Sequence, residues 1–213
     1  MPKPTNSTRA RLVDSALYLF WLQGYAATGV AEILSHANVR AGSFYYFFKT
    51  KESLLLAVLQ RYIETLDLIV TGPVFAETAD PIERIFGILE FYRRNLIRTG
   101  CTYGCPIGRL ALEIPEQQKE VHRLLADNFD GWTTAIEVCL RDAQDRLPAE
   151  LDLKALSQFV LTVMEGGVMQ ARAHGSLAPF DASVSQLRNY FRLLTQAQDS
   201  SRLPRRTTRK EAP

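Results

Sequence analysis

The chain has 213 residues, 46% hydrophobic and 23% charged, with a net charge of +2, which allows one large domain or two small ones around a sizeable core. No run of 18 apolar residues occurs, so no membrane span is expected, and no apolar stretch follows the charges of Met1–Arg9, so no secretory leader is expected. Three cysteines in a chain this long do not make a disulfide framework, which points to a reducing cytoplasm.

Nearly every segment carries helical periodicity. Leu12, Ala16, Leu19 and Phe20 form an apolar stripe with Val13 and Leu17 flanking it; Asn6 or Ser7 can cap its start, and Gly24 suits a left-handed end. Two short helices follow, from about Thr28 to His36 and from near Arg40 to Phe47. Thr50 caps a long helix to about Val70, where Gly72-Pro73 reads as a stop. Asp80-Pro81-Ile82-Glu83 is a start signal with Pro81 at the first helical position and Glu83 completing a capping box. Ile85, Leu89, Tyr92 and Leu96 line that helix until Gly100. A Cys/Gly-rich link then leads to a short helix ending near Glu113. Pro115 opens a long helix whose Val121, Leu125, Phe129, Trp132, Ile136 and Leu140 face one way, ending at Leu147-Pro148. Asp152 and Asp181 cap two more, to about His174 and Gln198. The expectation is an all-α fold of about nine helices with no strand, a basic and disordered tail at 199–213, and longer loops around 71–80 and 175–181.

Charge is uneven along this pattern. Residues 1–62 carry a net +4, residues 63–198 a net −5 and residues 199–213 a net +3. Only the first block joins positive charge to an ordered helical pattern, so a polyanion is expected there.

Residues 28–54 read as two short helices, a tight turn and the start of a third, the layout of a helix-turn-helix. Gly42, Ala37 and Ala41 are small enough for close helix crossing, Val39 reads as an apolar plug, and Ile33, Leu34, Phe44 and Phe48 as core. The outward set is then Arg40, Ser43, Tyr45, Tyr46 and Phe47, whose hydroxyls can bond phosphates and whose ring edges can meet a thymine methyl. Lys49, Lys51 and the helix N-termini near Thr28 and Thr50 can meet backbone phosphates. The competing reading is a buried aromatic knot of Tyr45, Tyr46, Phe47 and Phe48. Four successive helical positions cannot all face one core.

The runs Thr8–Phe20, Gly24–Thr28 and Ala37–Leu54, in this order and with these gaps, resemble the N-terminal domain of TetR-type transcriptional regulators. The resemblance covers about the first 60 residues. Three departures bear on contacts: Asn38 where the family usually has Gly, Arg40 and Ala41 where it has Ser or Thr and often Lys, and Phe47 where it often has His. The resemblance implies a reader over residues 1–50 and an effector-binding and dimerising domain over 51–198. It further implies a homodimer formed through the last two long helices, a near-palindromic DNA operator, and a repressor released by a small molecule. Gly166-Gly167 within the first of those helices costs about 1 kcal/mol each relative to Ala. Close approach by a partner helix or ligand, or a local bend, accounts for it.

An effector pocket is apolar with few polar groups. Candidates are Phe91, Tyr92, Tyr103, Phe129, Trp132, Val163, Met164 and Met169, residue types that equally serve as core. Glu113, Glu165 and Arg172 can supply charge to it or be solvated. Gly104–Glu113 resembles a segment of one subset of these regulators, in which Gly-Cys opens a short helix below the pocket. A thiol at a helix N-terminus is favoured as thiolate, so Cys105 is a candidate target for an electrophile or oxidant, with Cys101 as resolving partner. The alternative is a buried apolar plug. Cys139 falls on an apolar face. His36, His122 and His174 are scattered and no Cys/His spacing matches a metal site, so no metal or cofactor is assigned. The basic tail residues Arg202, Arg205, Arg206, Arg209 and Lys210 can add nonspecific DNA affinity. A helical enzyme or carrier with an incidental helix-turn-helix is the rival class. No phosphate loop, metal spacing or Ser/His/Asp set supports it, so no enzyme activity is assigned.

Overall fold

The apolar stripes assemble into a fold built only of helices. The computed structural model describes residues 7–202, with side chains through Gln198, and contains no strand among them. α1 (Thr8–Gln23), α2 (Val30–Ala37) and α3 (Ala41–Phe47) pack around Leu12, Ala16, Phe20, Ile33 and Phe44. Ser7 caps α1, its hydroxyl accepting from the Ala10 amide at 3.2 Å. Gly24 ends α1 at φ +90°, ψ 167°, an extended positive-φ conformation rather than the expected left-handed helical one.

α4 (Lys51–Leu66) starts at Thr50, whose hydroxyl and that of Ser53 bond each other's backbone amides. It does not stop at Gly72-Pro73. A π turn (Asp67–Thr71) carries it directly into α5 (Gly72–Glu77). The wider turn lets the Gly72 amide reach the Asp67 carbonyl and places Pro73 in the first turn of α5, where its missing N–H costs nothing. A Cβ on Gly72 would lie 2.8 Å from that carbonyl oxygen. The expected loop over 71–80 therefore shrinks to Thr78–Asp80.

α6 (Pro81–Arg98) is capped by Asp80, which accepts from the Ile82 and Glu83 amides. Glu83 does not close a capping box; its carboxylate takes both forks of Arg188 at 2.7 and 3.2 Å. α7 (Pro106–Glu113) follows the Cys/Gly link. α8 (Lys119–Asp142) begins four residues after Pro115, because the Gln118 amide turns back to the Pro115 carbonyl. Val121, Leu125, Trp132, Ile136 and Leu140 are buried along it as expected, with Phe129 only half-buried.

α9 (Leu153–His174) runs from the Asp152 cap to Gly175 in left-handed geometry. α10 (Ala178–Arg202) starts three residues before Asp181, which is not its cap. The Asp181 carboxylate is engaged by Arg93 at 2.8 and 3.2 Å, and the Ser176 hydroxyl accepts from the Ala178 amide. α10 also passes the expected end at Gln198 to reach Arg202; the rest of the expected basic tail and the Asn6 cap lie outside the described residues. α9 and α10 pack along each other, and a Cβ on Gly167 would approach the Phe180 ring to 3.0 Å. Close packing within one chain thus accounts for that glycine, while a Cβ on Gly166 would meet nothing.

Candidate nucleic-acid interface and the cavity behind it

The turn between α2 and α3 is made by Asn38 at φ +51°, ψ +54°, which a short polar side chain tolerates. Arg11 reinforces it, its guanidinium donating to the Ala37 and Asn38 carbonyls at 3.4 Å. Two aromatics fasten α3 from below: Phe44 is 1% exposed and Phe48 3%. The other three stand outside, with Tyr45 at 59%, Tyr46 at 80% and Phe47 at 38%. Tyr46 and Phe47 meet edge to face at 4.8 Å between centroids. Arg40 and Lys49 are exposed at the two ends of α3, and Ser43 is half-exposed. The aromatic knot is thus split, because the helical repeat turns only Phe44 and Phe48 to one face.

Three expectations about this element fail. Thr28 is fully buried, its hydroxyl donating to the Gly24 carbonyl at 2.6 Å, and α2 begins two residues later behind Gly29. Its side chain is spent on closing the α1–α2 connection. Lys51 is half-buried; its ammonium lies 4.2 Å over the Tyr25 ring and donates to the Tyr25 carbonyl, and burial lowers its pKa against the opposing pull of Glu113. Gly42 and Ala41 are exposed, and a Cβ on Gly42 would meet nothing within 4 Å, so the α2–α3 crossing rests on buried Ala37 instead. Arg9, whose guanidinium lies 5.4 Å from the Phe48 ring centroid, adds an exposed cation beside α3 that the stripe pattern did not single out.

Behind this head lies a cavity of about 300 Å³ between α1, α4, α6, α7 and α8. Of the expected pocket residues, Phe91, Tyr92, Tyr103 and Trp132 line it. Trp21 and Leu17 from α1, Tyr62 from α4 and Asn128 from α8 line it too. Sequence reading passed over these because Trp21 lies beyond the α1 stripe, while Tyr62 and Asn128 read as ordinary helix residues. Tyr92 and Trp132 meet at 5.4 Å and Trp21 and Tyr103 at 5.1 Å, so the walls are largely aromatic.

α7 grips the end of α1. The Trp21 indole N–H donates to the Gly104 carbonyl at 3.0 Å. Arg109 donates to the Leu22 carbonyl at 3.1 Å, to the Gln23 carbonyl, and to Glu113 at 2.7 Å. Glu113 in turn accepts from the Ala26 amide at 3.2 Å. The guanidinium fork thereby satisfies carbonyls that a helix end leaves open. Gly24 is required here on two counts: its φ is +90°, and a Cβ would sit 2.2 Å from the Glu113 carboxylate.

The model of bacterial regulatory proteins of the tetR family matches residues 12–58, and that of the tetracyclin repressor-like C-terminal domain matches residues 81–187. The chain belongs to the TetR family of transcriptional regulators. It is 26% identical over 175 residues to the HTH-type transcriptional repressor DhaR of Mycobacterium sp. (strain GP1), covering 81% of this chain and 86% of that protein. It is also 26% identical over 163 residues to the transcriptional regulator AcuR of Cereibacter sphaeroides, covering 76% and 74%. Among solved structures, a regulatory protein TetR from Rhodobacter sphaeroides shares the fold with a TM-score of 0.75 at 24% identity over 87% of this chain and 97% of that one. NemR from E. coli, in reduced form, shares it at 0.73 and 21% identity, covering 86% and 96%.

The remaining expected pocket residues of this TetR-family chain fall elsewhere. Met164 is fully buried in the core, and Val163 faces a groove between α9 and α10. Cys105, Phe129 and the 61%-exposed Met169 line a separate cleft between α7, α8 and α9, together with Glu165 and Arg172. Tyr92 and Cys105, 3.9 Å apart, form the wall between cavity and cleft. Glu113 is held in the α7 grip and so supplies no charge to the cavity.

The cysteines also correct the sequence reading. Cys105 does cap α7, its sulfur accepting from the Gly108 amide at 3.5 Å. Yet it is buried, and burial together with the nearby Glu165 carboxylate drives its pKa up, against the expected stabilised thiolate. Desolvation outweighs one helix-end amide. The covalent-switch reading at Cys105, with Cys101 as partner, is therefore not favoured; both thiols are free and buried. Cys139 is fully buried and pushed up to about 11 by burial, in keeping with an inert core thiol. No described helix is long and apolar enough to cross a membrane.

Proposed function

We propose that this TetR-family regulator is a cytoplasmic repressor that binds a near-palindromic operator as a homodimer and is released by a small molecule. The observation that carries the DNA contact is the division of α3: two buried phenylalanines fix the helix, and Tyr45, Tyr46 and Phe47 stand free with Arg40, Ser43 and Lys49 around them. Tyrosine and serine hydroxyls reach phosphates or base edges, ring edges meet thymine methyls, and Lys49 meets a phosphate. Gly42 leaves room for a close backbone approach. The reader corresponds to residues 1–50 and the sensing and dimerising part to 51–198.

The homodimer forms through α9 and α10. Their outer groove is lined by Ala155, Phe159, Val163, Gly166 and Tyr190, with Phe159 48% and Leu193 60% exposed on a single chain. A second copy covers this apolar face. The aromatic cavity takes the effector. Operator binding requires the two heads one DNA turn apart, about 34 Å. A ligand that fits better when the heads are splayed shifts the population away from that spacing, by no more than its difference in affinity for the two states. The lever is the α7 grip, since Tyr103, Gly104, Pro106 and Ile107 line the cavity while Gly104 and Arg109 hold α1. A gel shift with DNA fragments flanking the chain's own coding region tests the reading. A sequence-selective, salt-sensitive shift is expected, and its absence overturns it.

A further inference from the structure

We infer that the cavity binds an uncharged aromatic molecule that presents a hydroxyl or N–H donor to Asn128 and Tyr62. This rests on the reading of the cavity as the effector site and adds the chemistry of what enters it. The polar groups on the wall decide the matter, because most of them are already occupied. The Thr65 hydroxyl donates to the Arg61 carbonyl at 2.8 Å, the Gly104 carbonyl accepts from Trp21, and the Tyr92 hydroxyl meets the Cys105 sulfur.

Asn128 is different. It is buried, and its amide nitrogen donates both protons, to the Leu59 carbonyl at 3.2 Å and the Leu124 carbonyl at 2.7 Å. Two carbonyls can face only the N–H₂ end of an amide, so the side chain has one orientation. Its Oδ1 remains as an acceptor with no partner among the described residues, on the wall of an apolar space. The Tyr62 hydroxyl likewise has none. An open acceptor and an amphoteric hydroxyl lining one cavity match a ligand O–H or N–H, and a ligand lacking one leaves both groups desolvated.

Charge is excluded by what the wall lacks. Its ionised members are Arg98 and Asp127; Arg98 is exposed and bonded to Asn95, and Asp127 is bonded to Arg123 at 2.8 Å. Glu165 belongs to the separate cleft beyond Cys105. Burial raises the pKa of Tyr62 and Tyr92, so negative charge is disfavoured in the same place. A carboxylate brought inside would give up its water for Arg98 alone, a cation exposed to solvent, and an ammonium for Asp127, whose charge Arg123 already answers. The rings of Trp21, Tyr103, Tyr92 and Trp132 on the wall suit an aromatic molecule, and a volume of about 300 Å³ limits it to a small one, such as a bicyclic ring.

Isothermal titration calorimetry of the full chain with four probes of one shape tests this: 2-naphthol, naphthalene, 2-naphthoate and naphthylmethylammonium. 2-Naphthol is expected to bind about tenfold or more tightly than the other three. Tyr62→Phe keeps the ring and should cut the naphthol-to-naphthalene preference several-fold. Asn128→Leu should cut it further, and Tyr62→Phe carries the test alone if that variant does not fold. Equal or tighter binding of either ion, no binding of 2-naphthol at its solubility limit, or an unchanged preference in Tyr62→Phe overturns the inference. Operator release is scored separately. Naphthol binding without release defeats the regulatory reading and leaves the ligand chemistry standing, whereas release by the carboxylate does the reverse.

Discussion

The indole N–H of Trp21 and the carbonyl of Gly104 meet at 3.0 Å, joining the last turn of the first helix to the link that enters α7. Both residues also line the cavity. Helix α1 is thus itself part of the cavity wall, with no element between them.

Trp21→Phe keeps an aromatic wall and removes the donor. It should cost about 0.5–1.5 kcal/mol of stability, the usual worth of one such bond. Operator affinity in the absence of effector should change little, while the ratio of affinities with and without effector falls towards one. Fluorescence anisotropy on labelled operator, with and without saturating effector, measures that ratio. An undiminished ratio removes this contact from the signalling route.

The two faces of α3 should separate stability from binding. Tyr46→Ala and Tyr45→Ala, at largely exposed positions, should leave the melting temperature nearly unchanged and weaken operator binding at least several-fold. Phe44→Ala empties a fully buried site and should cost about 3–5 kcal/mol. Thermal melts alongside gel shifts distinguish the pair. A large stability loss in either tyrosine variant contradicts the assignment.

Lys49 and Lys51 sit two residues apart and should behave differently. Lys49→Ala should weaken binding to every DNA sequence and flatten the slope of log K against log salt by about one unit. Lys51→Ala removes a bond to the Tyr25 carbonyl and a cation–π contact, so it should lower stability and leave the salt slope alone. Affinities measured across a salt series, together with denaturant midpoints, decide between these outcomes.

Glu165 offers a test in pH. Burial raises its carboxyl pKa above the ordinary glutamate value, and one of its oxygens is buried without a hydrogen-bond partner. The fold therefore holds the proton more tightly than the unfolded chain does. Around this group stability falls as pH rises from the unfolded value through the folded one. Glu165→Gln should be more stable than the parent at pH 7, with the difference shrinking as pH drops towards the unfolded glutamate range. Urea titrations at several pH values read this directly, and a constant difference would mean that the carboxylate is solvated.

Much of this was legible without coordinates. Phe44 and Phe48 lie one helical turn apart, so their sharing of the buried face followed from the repeat alone, as did the outward turn of Tyr45 and Tyr46. The caps at Thr50, Asp80 and Asp152, and the cap at Ser7 as one of two candidates, followed from residue chemistry that acts over three or four positions. Errors arose where a local signal met a distant partner. Asp181 looked like a cap until Arg93 took its carboxylate, and Glu83 looked like half of a capping box until Arg188 claimed it.

What the amino-acid order determined by itself was the helical character of the chain, the position of its helix-turn-helix and which aromatic residues of α3 face outward, because each depends on residues close together in the chain. The cavity, the grip of Arg109 on α1 and the upward shift of the Cys105 pKa were decided only in three dimensions. Arg109 and Leu22 are far apart along the chain, and Cys105 has its thiol pKa raised by burial and then by a carboxylate from another helix. Burial and the pairing of charges across elements depend on where helices pack, and no spacing along one helix records that.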